Sequence, residues 1–213
     1  MKHVLSILTT LSNERPIFHS EADFQHALAW EIHKENTNNK LRLEYNPAIA
    51  DRNMYLDIWV TYPNGSRTVF ELKYITKKIS LQLNDEAFNL KNHGAPDLAR
   101  YDFIKDIVRI ETVCNSLAST NGYAIILTNE PALWKQTVLR DKIPNDIEYR
   151  IHHGKILEGQ LKWGVNTGQG TMKSRETSLN LLGSYKLNWL PYSKVTDSNG
   201  GEFRMAIVEV PTK

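Results

Sequence analysis

Asp57, Glu71 and Lys73 are the residues whose types and spacing suggest chemistry. They sit in two runs of strand length, Met-Tyr-Leu-Asp-Ile-Trp-Val over 54–60 and Thr-Val-Phe-Glu-Leu-Lys-Tyr over 68–74. Both runs are rich in β-branched and aromatic residues, the composition that fits a pleated, half-buried surface. Tyr62-Pro63-Asn64-Gly65-Ser66 lies between them. Proline presets φ and glycine supplies φ > 0, so the segment predicts a turn and the two runs a hairpin. Side chains alternate faces along a strand. Asp57 therefore shares a face with Tyr55 and Trp59, and Glu71 with Val69 and Lys73. A three-residue loop, Pro63-Asn64-Gly65, closes with a type I turn and a left-handed glycine. That odd loop sets Asp57 opposite Glu71, with Lys73 two residues along the same face. Like charges directly opposite destabilise a sheet. A divalent cation would relieve the conflict, because paired carboxylates are hard oxygen ligands of the kind Mg²⁺ takes.

The element before the hairpin carries acid as well. Ser20-Glu21-Ala22-Asp23 has an N-cap serine with a carboxylate three residues on, and predicts a helix to about Lys34. At 100° per residue, Glu21, Phe24, Leu28 and Glu31 fall within about 80° of arc. One or both glutamates therefore point with the apolar stripe toward the sheet. His26 and His33 fall on the opposite, solvated face.

This arrangement resembles the PD-(D/E)xK phosphodiesterase superfamily, the restriction-endonuclease-like fold. The resemblance covers about residues 15–130. It implies an αβββαβ core, a mixed central sheet flanked by helices, with the third strand or a loop after Lys73. The long helix at 97–118 and the strand at 122–128 fill the last two places. It implies Asp57 and Glu71 as the motif acids, Lys73 as the motif lysine and Glu21 as the helix glutamate, with Glu31 the alternative. Leu56 stands where the family signature has proline.

The resemblance further implies Mg²⁺, with Mn²⁺ as a substitute, held by Asp57, Glu71 and the Leu72 carbonyl. A cation there polarises a phosphoryl oxygen and lowers the pKa of water. Lys73 would orient that water or stabilise developing charge. The implied activity is that of a nuclease cutting nucleic acid, DNA ahead of RNA. The alternative is a non-catalytic nucleic-acid-binding or interaction module that keeps the fold. Lys77 and Lys78 follow the motif strand, and Lys173 and Arg175 stand in a glycine-rich loop; all four are candidate phosphate contacts. Many members of the family this chain resembles pair up to cut both strands, so the resemblance also allows a homodimer.

The remaining chain sets limits on these readings. The 213 residues suit a single domain, 1–213, with a β-rich C-terminal extension over 147–213. The 26 Lys and Arg against 24 Asp and Glu exclude a polybasic arm or acidic tail, so any nucleic-acid site is a local patch. The single cysteine, Cys114, excludes an internal disulfide framework and fits a reducing cytoplasm; on the long helix it reads as a buried thiol. No apolar stretch approaches membrane-spanning length. Val4, Ile7, Leu8 and Leu11 have helical spacing, which predicts a short amphipathic helix in place of a signal peptide.

Several weaker readings complete the expectation. Residues 75–96 read as a loop with a short helix, and Pro131 begins another helix toward Arg140. Residues 147–152, 155–163, 184–190 and 202–210 read as strands. On the long helix, Arg100, Lys105 and Arg109 alternate with Asp97, Asp102, Asp106 and Glu111, the pattern of a solvated face with intrahelical pairs. Gly164–Ser174 lacks the Gly-Lys-Ser/Thr ending of a nucleotide-binding loop. Trp134, Trp163 and Trp189 read as core.

Overall fold

The computed structural model describes residues 1–49, 54–137 and 143–212. In chain order the elements are α1 (Lys2–Glu14), α2 (Glu21–Glu35), β1 (Lys40–Tyr45), β2 (Leu56–Thr61), β3 (Arg67–Ile75), β4 (Ile79–Leu83), β5 (Glu86–Leu90), α3 (Pro96–Ser116), β6 (Thr120–Thr128), α4 (Pro131–Trp134), β7 (Ile156–Leu161), α5 (Gln169–Met172), β8 (Leu179–Lys186), β9 (Trp189–Lys194) and β10 (Glu202–Val210).

A six-stranded mixed sheet, in the order β1-β2-β3-β6-β10-β9, is flanked by helices. Strands β1, β2 and β3 are antiparallel neighbours; β3 and β6 run parallel, joined through α3. On one face α1 and α2 bury Leu8, Phe24 and Leu28 against Phe70, Leu72 and Ile125. On the other, α3 buries Ile104, Ile107 and Ile110 against Val69, Ala124 and Ile126. Truncating such a buried leucine or isoleucine to alanine costs about 2–5 kcal/mol. The approach of α3 to β6 is close: a Cβ on Gly122 would stand 2.0 Å from Ile110 Cγ2. Among the described residues no helix is long and apolar enough to cross a membrane.

Local chemistry sets the two elements that matter most. Ser20 Oγ accepts the Asp23 N–H at 3.2 Å and starts α2. In the hairpin, the Tyr62 N–H donates to the Ser66 carbonyl at 2.9 Å, and Gly65 has φ +83°. This is the expected three-residue loop, and the register pairs Ile58 with Phe70.

Several expectations need correction. The third strand of the core precedes Asp57 instead of following Lys73: it is β1, whose Lys40, Arg42 and Glu44 face solvent at the sheet edge. Residues 79–90 form a second hairpin, not a loop with a helix. Its two-residue turn, Asn84-Asp85, holds both residues at positive φ (48° and 63°), a conformation asparagine and aspartate tolerate without glycine. The helix after Pro131 ends at Trp134, and residues 138–142 lie outside the described ones. Ile147–Tyr149 is a 3-10 turn. The 184–190 strand is two strands, β8 and β9, parted at Leu187-Asn188. The β-rich C-terminal part also divides: β9 and β10 extend the central sheet, while β7 and β8 form a small sheet packed on α3. The three tryptophans and Cys114 are buried, and burial pushes the Cys114 thiol up to about 11.

Candidate active site

A gap in the sheet creates the site. The β2–β3 ladder ends at Ile58 and Phe70, yet β3 runs on to Ile75. Beyond that point two β3 amides are taken by carboxylates. The Leu72 N–H donates to Asp57 Oδ2 at 2.6 Å, and the Tyr74 N–H to Glu21 Oε2 at 2.8 Å. Asp57 thus shares the face of Glu71 as expected, but its carboxylate turns to the strand edge instead of forming a ladder pair. Buried Gln25 of α2 fixes this end of β2: its Nε2 donates to the Asp57 carbonyl at 2.7 Å and to Glu44 Oε1 at 2.9 Å.

Helix α3 completes the cluster. Lys73 Nζ lies 2.6 Å from Asp106 Oδ2 and 3.1 Å from the Leu72 carbonyl. Arg109 Nη2 lies 3.1 Å from Glu71 Oε1 and also donates to the Tyr55 carbonyl. Glu71 is 1% exposed and Asp106 4%. Glu71 Oε1 and Asp106 Oδ2 are buried and accept no aligned hydrogen bond.

The electrostatics follow from burial. Desolvation raises the carboxyl pKa values of Glu21, Asp57 and Asp106, and raises that of Glu71 well above its ordinary value. At Glu71 the neighbouring Asp106 and Asp57 add to the effect, and Arg109 and Lys73 oppose it. Burial works against the Lys73 ammonium, but Asp106, Glu21 and Asp57 overcome it and raise its pKa. Among the described residues four carboxyls face Lys73 and Arg109, so two negative charges of this set stay unmatched when all are ionised.

The structure brings Glu21, Asp57, Glu71 and Lys73 together. It does not bring Glu31, which pairs with Lys34 at 2.6 Å in a depression beside α1. Of the candidate phosphate contacts, Lys78 and Lys173 are exposed and Lys77 half-buried. Arg175 is committed elsewhere, with Nε and Nη2 at 2.8 and 2.6 Å from the Asp102 carboxylate.

Reading the α3 charges as a solvated face is wrong for Arg100, Asp106 and Glu111, all of which are buried. Arg100 is paired with Asp146. The missed signal was available: Asp106 stands three residues from Phe103 and four from Ile110, on the apolar stripe itself.

Asp57, Glu71 and the Leu72 carbonyl suit a hard cation by donor chemistry, and the excess of negative charge agrees; Glu71 Oε1 has the Arg109 ion pair but no aligned hydrogen bond. Among the described residues no group of three or more His, Cys, Asp or Glu side chains is drawn together as a ready metal cage; Lys73 and Arg109 stand between the acids. Comparison with family models, curated proteins and solved structures returned no match to this chain.

Proposed function

We propose that this protein is a metal-dependent nuclease that hydrolyses phosphodiester bonds, DNA ahead of RNA. The observation that carries the reading is the cluster of four carboxyls, Glu71 and Asp106 buried and Glu21 and Asp57 half-buried, that faces two cations among the described residues. Such a charge excess is costly without a counter-ion, and a divalent cation supplies the missing two charges. The element order α2-β1-β2-β3-α3-β6 supports a restriction-endonuclease-like αβββαβ core.

In this reading Asp57, Glu71 and the Leu72 carbonyl hold Mg²⁺, or Mn²⁺ in its place. The ion supplies charge that polarises the phosphoryl group and acidifies water. Lys73, kept charged by Asp106, stabilises negative charge developing on the phosphorus oxygens. Glu21 holds the Tyr74 amide with one oxygen and orients water with the other.

The test is cleavage of oligonucleotides by purified protein, together with thermal unfolding in Mn²⁺. Wild type should cut and gain melting temperature with Mn²⁺, and Asp57→Asn should do neither, since a ligand bound only to the native state stabilises it. A wild-type protein indifferent to Mn²⁺ and inert toward DNA and RNA overturns the reading. One observation favours the alternative of a non-catalytic binding module: Glu71 and Lys73 already have ion-pair partners on α3. That module would bind nucleic acid with no turnover in either metal.

A further inference from the structure

A cleft of about 560 Å³ opens beside the acid cluster, between α3 and residues 174–180. Its volume falls in the range of small-ligand sites. The α3 wall presents Tyr101, Lys105, Val108 and Arg109, and Met54 also lines the cleft. The opposite wall presents hydroxyls and an amide from Ser174, Thr177, Ser178 and Asn180.

Three contacts keep that second wall in place. Arg175 grips Asp102, the Tyr101 hydroxyl donates to the Thr177 carbonyl at 2.8 Å, and Trp163 Nε1 donates to the Arg175 carbonyl at 2.9 Å. The cleft is therefore preformed, and binding in it needs little further ordering.

Arg109 connects the two regions, because the guanidinium that lines the cleft also faces Glu71. One helical turn before it, Lys105 is exposed and has no anionic partner among the described residues. Lys173, also exposed, precedes Ser174 at the rim. Cations at the rim, apolar surface at Met54 and Val108, and hydrogen-bonding groups opposite match the phosphate, face and edge of a nucleotide. A duplex keeps its bases stacked inside, whereas a pocket of this size takes a single base that has left the stack.

We propose that this cleft receives one unpaired nucleotide of the strand being cut, next to the scissile phosphate, so that the preferred substrate is single-stranded there. The proposal rests on the nuclease reading for the position of the scissile phosphate, and on the cleft alone for binding.

The experiment is fluorescence anisotropy in EDTA with a labelled single-stranded deoxyoligonucleotide and the same sequence fully paired. Wild type should bind the single strand at least about tenfold tighter than the duplex. Lys105→Glu and Asn180→Glu, at exposed positions on opposite walls, should each weaken single-strand binding about tenfold. Lys2→Glu, on the opposite face of the sheet, should weaken it less than about threefold and measures the effect of net charge alone. Equal or tighter duplex binding overturns the proposal, as does a loss in Lys105→Glu and Asn180→Glu no greater than in Lys2→Glu. The Mn²⁺ melting shift separates the two readings. Cleft binding lost with the shift retained removes only the cleft. Cleft binding retained with no shift and no cleavage upholds the cleft and removes the hydrolytic activity.

Discussion

Helix α3 buries two acids five residues apart, and they are held in opposite ways. Glu111 is well supplied with donors: its carboxylate accepts the Leu182 N–H at 3.0 Å, the Gly183 N–H at 2.8 Å and the Tyr185 hydroxyl at 2.8 Å. Each donor needs an acceptor where it is buried, so Glu111 fastens β8 to the helix. Asp106 faces Lys73 at one oxygen with no aligned hydrogen bond there, accepts only a long 3.5 Å bond from Arg109 Nη1 at the other, and stands near three further carboxyls. One site brings three donors to a single acid. The other has more negative charge than its donors and cations match. Donor supply, not burial alone, separates an acid fastened into the fold from one left among excess negative charge.

The largest effect that would sharpen this contrast is on turnover. Lys73→Ala should lower cleavage at least about a thousandfold, on the scale of losing a principal transition-state contact. Removing Lys73 also takes the partner from buried Asp106 and should cost stability, so circular dichroism and urea unfolding must show the variant folded at the assay temperature. Wild-type rates in that variant would remove Lys73 from the chemistry.

Stability gives the next effect. Glu111→Gln should lose about 2 kcal/mol in urea unfolding, because charge-assisted bonds to buried donors weaken. The same substitution at Glu71 should have the opposite sign. Glu71→Gln removes a repelled, desolvated charge and should gain about 1 kcal/mol at pH 8 in EDTA. Destabilisation of both to a similar degree would break the comparison.

The pH dependence carries the same distinction. Glu21, Asp57, Glu71 and Asp106 have folded pKa values raised above the ordinary 3.8 and 4.5. Above those ordinary values the unfolded chain has released protons that the folded chain still holds. Stability in EDTA therefore falls as pH rises from about 4 through the raised values. Glu71→Gln should flatten that fall, and differential scanning fluorimetry across pH reads it. The smallest effect is at the helix start: Ser20→Ala should cost about 1 kcal/mol by uncapping α2, measured by urea unfolding, with little change at β8.

Much of the fold was legible in the sequence where the determinants are short-range. Ser20 and Asp23 are three residues apart and cap α2. Pro63, Asn64 and Gly65 set the hairpin loop, and loop parity alone put Asp57, Glu71 and Lys73 on one face. The β4–β5 hairpin was missed because its Asn84-Asp85 turn lacks the glycine that usually announces one. Edge strand β1 was missed because a strand with one solvated face is weakly apolar.

The site was legible only in part, for a different reason. Asp106 and Arg109 lie more than thirty residues beyond Lys73, and nothing local says which turn of α3 docks over β3. The choice of Glu21 over Glu31 likewise depends on where α2 crosses the sheet: both lie on its apolar stripe, but only Glu21 reaches the Tyr74 amide. Caps, turns and strand parity are set by residues within a few positions of one another, so the sequence alone determined which side chains share a face. Which groups meet across a helix–sheet interface is set by packing summed over the whole layer, so tertiary structure alone decided that Asp106 and Arg109 would join Glu21, Asp57, Glu71 and Lys73.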